Sequence, residues 1–154
     1  MNLWDWSLRA WRAPGVEAAC LDLQDAQGQN IPLLLWAAWT AATGRSLAAD
    51  DIEAACDTAR VWQDGVVLPL RGVRRALKTR IPDIDNEDRE AVRTQVQAVE
   101  LDIERRLLAA LERISPPPSG PPKPVLPALV AVSRQWSPVT PRTALNLLAE
   151  RLPA

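Results

Sequence analysis

Between Asn30 and Gly44 the chain carries Leu33, Leu34, Leu35, Trp36, Ala37, Ala38 and Trp39 without a polar residue on any side. A segment that is apolar all round is stable only when other elements surround it. Whatever else the chain does, it has to build a shell around these residues. A buried strand is the competing reading of so short an apolar run, but Ala and Leu outnumber β-branched residues here. The segment therefore reads as a helix over about 31–43, with Asn30 as cap, Pro32 in the first turn and Gly44 as the stop.

Hydrophobic spacing elsewhere follows the helical period, and no stretch alternates as a strand does. Trp4, Leu8 and Trp11 form a stripe on a first helix capped by Asn2, with Asp5 in its positive first turn. Pro14 suits the opening turn of a second helix with Val16, Ala19, Cys20 and Leu23 on one side, ending at Gly28. A fourth begins at Ser46 and buries Ile52, Cys56, Ala59 and Trp62 or Gln63. Gly65 and Pro69 predict a kink or short break between Asp64 and Leu68, after which Leu70, Val73 and Leu77 resume the spacing.

The longest helix is expected over about 87–114, where Val92, Val96, Val99, Ile103, Leu107, Leu111 and Ile114 make one seam. At 1.5 Å per residue it is roughly 40 Å long. A core this small does not cover that length, so part of the seam is expected to meet a partner. Six prolines between Pro116 and Pro124 then predict an extended, semi-rigid spacer. Two weaker helices follow, over 127–136 and 141–152. The expected organisation is an all-α bundle of about five helices over 1–115, a Pro-rich linker over 116–125, and a helical segment over 126–154, loosely attached or, alternatively, packed on the bundle.

The 154 residues carry a net charge of −1 and are 47% apolar, which argues against a globally basic nucleic-acid binder and against disorder throughout. Histidine is absent, so His-based dyads, proton shuttles and His-ligated metal sites are excluded. Six glycines provide neither a phosphate-cradling loop nor a nucleophile elbow. The N-terminus has no secretory pattern and no apolar run approaches the roughly 20 residues of a membrane span. Cys20 and Cys56 are far apart and on apolar stripes, which reads as two inert thiols in a reducing cytoplasm. Asp83, Asp85, Glu87, Asp88 and Glu90 lack calcium-loop spacing and read as helix-start acids, so no metal and no cofactor is expected.

The near-neutral total hides a segregation. Residues 1–60 and 82–115 are each net −4, whereas 61–81 are net +4 and 116–154 net +3. Arg71, Arg74, Arg75 and Lys78 fall at 0, 3, 4 and 7 on a helix and share a side. They form the candidate site for an anion or an acidic partner. The alternative is a basic face that is simply solvated, or paired internally with Glu100, Asp102 or Glu104 on the following helix. Tryptophan is the only aromatic residue, present seven times. Trp4, Trp11, Trp36, Trp39 and Trp62 fall near predicted core faces, while Trp6 and Trp136 are the candidate contact aromatics.

The run Leu3-Trp4-Asp5-Trp6-Ser7-Leu8, with Pro14-Gly15-Val16, Ala19-Cys20-Leu21 and Leu23-Gln24-Asp25, resembles a proteobacterial family of small proteins of unknown function. Trp62, Pro69-Leu70-Arg71 and Val73-Arg74-Arg75 continue the likeness, which spans about residues 2–114 and leaves out the Pro-rich tail. It implies a bacterial cytoplasmic helical protein and assigns no catalytic residue. The expectation is a non-enzymatic interaction or regulatory protein that engages a protein partner, a second copy of itself or an anionic ligand, without specific nucleic-acid recognition. The second expectation is a binder of an acyl or phosphate-bearing small molecule in a Trp-lined apolar pocket.

Overall fold

Asn30 sets the start of the central helix: its extended backbone stops the preceding turn, and its Oδ1 accepts the Leu33 N–H at 3.0 Å. In the computed structural model, which describes residues 1–153, this helix, α3, spans Ile31–Ala42. Every residue from Leu33 to Ala41 is buried. Around it lie α1 (Leu3–Trp11), α2 (Val16–Asp25), α4 (Ala49–Trp62), α5 (Leu68–Ala76), α6 (Asn86–Arg113), α7 (Val125–Trp136) and α8 (Arg142–Arg151), with no strand among the described residues. The chain is all-helical. A π-helical turn, Gln63–Val67, joins α4 to α5 without interruption, so residues 1–115 form five rods. Winding wide there accommodates Pro69, whose ring clashes with the carbonyl four residues back in ordinary helix. The expected break is thus a change of winding.

The C-terminal helices take the packed alternative of the two expected for them. They do not hang loosely from the spacer. α7 packs along α3, α8 packs on α2 and α7, and Leu129, Val132, Leu145 and Leu148 are fully buried in the same core as Trp36 and Leu34. The spacer itself is strapped to the end of α3. Ser119 and Gly120 donate backbone N–H groups to the Gly44 carbonyl, Lys123 to that of Ala41, and Arg45 Nη1 donates to the Pro116 carbonyl at 2.7 Å. Proline removed its own donors, and the neighbouring non-proline residues supply the anchoring ones. Residue 154, the last of the expected segment, lies outside the described residues.

Two aromatic assignments also change. α1 has two apolar stripes, and it is Leu3, Trp6 and Ala10 that enter the core, while Trp4 and Trp11 are half-buried and Leu8 is exposed. Trp6 is therefore buried, with 9% of its surface accessible. Trp136, 5% accessible, donates its indole N–H to the Gly28 carbonyl at 2.9 Å and lies 3.8 Å under the Arg60 guanidinium. Neither offers a free ring to a partner. Trp36 and Trp39 find acceptors in Ser115 Oγ and the Met1 carbonyl, as buried indoles require. The α2–α3 turn is held from the far side: Gln29, buried, accepts from Ser133 and donates to Ser137, and Asn30 donates to Gln63. α2 begins after Gly15, at φ +79°, so Pro14 lies in the preceding turn and not inside the helix.

α6 enters through Asp85, whose side chain accepts the Asp88 N–H. Only its second half reaches the core, through Ile103, Leu107, Leu108 and Leu111. Val92 and Val99 are 46% and 49% exposed, and α5 has no buried residue. The α5–α6 hairpin therefore leaves the core as a two-helix arm. Arg89 closes its turn by donating Nη1 to the Leu77 carbonyl at 2.6 Å, a cation at the negative end of α5.

Gly44 and Gly28 both have positive φ, at +69° and +64°, but only at Gly44 would a Cβ collide with the Gly120 carbonyl oxygen, whereas Gly28 has open space. Gly28→Ala should cost about 1 kcal/mol, the strain of the left-handed conformation. Gly44→Ala should cost at least about 2 kcal/mol more, because the spacer must detach. Thermal unfolding of both variants checks this; equal melting temperatures would show that the strap adds no stability.

Candidate functional site

The basic stripe sits on the arm because α5 resumes helical winding after Pro69 with its arginines three and four residues apart. Its four members do not act alike. Arg71 and Arg74 turn toward the protein. Arg71 is half-buried and donates Nη2 to Gln24 Oε1 at 2.8 Å. Burial draws its guanidinium below the ordinary range, and Glu104, Glu100 and Asp25 oppose that pull. Arg74 Nε forms an ion pair with Glu100 at 2.8 Å. Asp102, another candidate partner, turns away and pairs with Arg106 on α6. Glu104 faces Arg71 electrostatically, but desolvation dominates and pushes its carboxyl up.

Arg75 and Lys78 are exposed, and among the described residues neither forms an ion pair or a side-chain hydrogen bond. With Arg74 and Arg93 they border a polar cleft of about 320 Å³ whose other wall is Leu21, Gln24 and Asp25 of α2. Arg93 was not among the sequence candidates. The Nε atom of this residue is buried and has no protein acceptor. Its position one turn after Arg89 on the helix opposite α5 was the signal available, but helix pairing had to be known before it could be used. The cleft therefore brings together three of the four expected cations and a fourth from α6, against one carboxylate. Such a surface can take up a carboxylate or phosphate group, with arginine able to offer two parallel N–H donors.

The remaining titratable candidates have structural roles. Cys20 and Cys56 are free and buried; burial pushes the Cys20 thiol up to about 12 and that of Cys56 up to about 11. Thiols held so far above neutrality carry almost no thiolate. Asp85, Glu87 and Asp88 serve the start of α6, and among the described residues no three acidic or thiol side chains converge on a common point. Among the described residues, no helix is long and apolar enough to cross a membrane.

A family model described as "Protein of unknown function (DUF2390)" matches residues 2–111, from the start of α1 almost to the end of α6. No curated protein and no solved structure matches the chain.

The division of the stripe is measurable. Arg74→Glu should lower stability by about 1 kcal/mol, as for a partly exposed pair, and Arg74→Glu with Glu100→Arg should recover most of it. Arg75→Glu and Lys78→Glu should each stay within about 0.5 kcal/mol of the parent. Urea titration of the four variants distinguishes these outcomes, and a large loss at Lys78 would mean that its charge is used internally.

Proposed function

We propose, on the premise that this chain belongs to the DUF2390 family of proteins of unknown function, that it is a non-enzymatic interaction protein whose α5–α6 arm docks an acidic segment of a partner protein. One observation carries this reading: Arg75, Lys78 and Arg93 converge on a cleft, and among the described residues no acid is paired to any of them. Unpaired cations gathered around a concave surface raise the local concentration of anions and speed encounter. Arg71 and Arg74 contribute by position. Their bonds to Gln24 and Glu100 hold α5 at a fixed spacing from α2 and α6, which keeps the cleft open.

The arm also exposes Val73, Val92 and Val99, so a docked segment would find apolar contact beside the charges. Interfaces commonly combine a charged rim that steers with an apolar centre that holds. The place of work in this reading is a bacterial cytoplasm, which the two unbridged thiols favour.

A fluorescein-labelled poly-glutamate peptide provides a defined probe. The double variant Arg75→Glu, Lys78→Glu should bind it at least tenfold more weakly than the parent, while Arg142→Glu, an exposed reversal on α8, should leave affinity within twofold. Parent binding should weaken as ionic strength rises, because exposed charges are screened over about 10 Å at 0.1 M salt. Equal losses in the two variants would reduce the interaction to net charge and overturn the assignment to this cleft.

A further inference from the structure

The second apolar stripe of α1 is not used by the core. Trp4, Leu8 and Trp11 instead line a separate cleft of about 240 Å³, closed by the start of α3 and by Leu101 and Leu108 of α6. This is smaller than pockets for drug-sized ligands and has room for one ring system. Arg105 stacks over Trp4, 5.4 Å from the ring centroid, and fixes one wall.

Three polar side chains line the cleft, Ser7, Gln24 and Glu104; Gln24 Oε1 already accepts from Arg71, and the other two distinguish the cleft from an unfilled packing gap. Ser7, only 5% exposed, lines it with an Oγ that has no hydrogen-bond partner. A helical serine ordinarily bonds to the carbonyl one turn back, and leaving a buried hydroxyl unpaired costs about 1–3 kcal/mol. At the edge lies Glu104, whose carboxylate makes no hydrogen bond or ion pair among the described residues. No arginine or lysine lines the cleft. An acyl or phosphate head would therefore meet a carboxylate there, contrary to the ligand class expected for a Trp-lined pocket.

We propose that this cleft is a binding site for a small arylalkyl amine. The ring lies between the indoles of Trp4 and Trp11, the ammonium meets Glu104, and Ser7 Oγ accepts one of its hydrogens. Indole faces attract cations as well as rings, so the walls and the edge favour the same ligand charge. The cleft is distinct from the one that Arg75, Lys78 and Arg93 border, although the two share Gln24 as a wall and Arg71 of the arm faces Glu104.

Three probes of equal size separate the contributions: phenethylamine, 2-phenylethanol and phenylacetate. In ¹⁵N-labelled protein, phenethylamine should move the indole N–H signals of Trp4 and Trp11, assigned by single Trp→Phe substitutions, and leave those of the buried Trp36 and Trp39 in place. Phenylacetate should bind at least tenfold more weakly. Glu104→Gln should abolish the preference for the amine over the alcohol, and Ser7→Ala should weaken the amine at least about tenfold, the loss of one hydrogen bond to a charged group. Circular dichroism confirms that each variant is folded. The proposal is overturned if neither indole signal shifts saturably at millimolar probe, if the three probes bind alike, or if amine affinity is unchanged in both Ser7→Ala and Glu104→Gln.

Discussion

Enclosure of α3 governs the rest of the molecule. A helix with no polar side gains stability from every neighbour and offers none of them a solvent-facing edge, so its neighbours must come from all directions. α1, α2, α4 and α6 leave one flank uncovered, and α7 occupies it, with α8 packed behind. The cost of such depth falls on the polar groups at the ends of α3. Asn30 and Gln29 satisfy the entry, Thr40 bonds back to the Ala37 carbonyl, and the exit is closed by the spacer on Gly44. Each of these is a buried hydrogen-bonding group that would be expensive to leave unpaired.

Once that core is complete, about half of α6 and all of α5 remain outside it. The arm is held by different means: a π-turn that lets the rod pass Pro69, an arginine closing the hairpin, and ion pairs along its flank. The position of a cation on this arm decides its role. Arg71 and Arg74 reach acceptors on α2 and α6 and are spent on geometry, whereas Arg75 and Lys78, exposed on the same helix, reach none among the described residues. One stripe in sequence therefore becomes two environments in space. Helical spacing alone places four side chains on a face; it does not say where a second helix crosses that face.

Much of the fold was legible because the signals were local. The central helix, the α2 stripe of Val16, Ala19, Cys20 and Leu23, the Asn2 and Asn30 caps and the long α6 all follow from spacing and capping chemistry. What was not legible depended on tertiary context. α1 offers two stripes of similar apolarity, and only the positions of α3 and α6 determine that Trp6, not Trp4, is buried. The spacer looked like a disconnecting linker because proline cannot donate, yet Ser119, Gly120 and Lys123 can, and Gly44 has no side chain to keep them away. The cleft partner Arg93 and the orphan Ser7 Oγ are likewise properties of packing, invisible until the helices are placed.

The family match ends at residue 111, just where α6 finishes its work in the core, while the flank of α3 that α7 covers is as apolar as the rest. The apolar demand is therefore written in the matched region and met outside it. Leu129, Val132, Leu145 and Leu148 meet it here with aliphatic side chains on two short helices, a solution that needs only the right volume and period. The same segment also meets a polar demand of the α2–α3 turn, since Ser133 donates to Gln29, Gln29 to Ser137 and Trp136 to the Gly28 carbonyl; these hydrogen bonds demand particular atoms, whereas hydrophobic cover demands only surface.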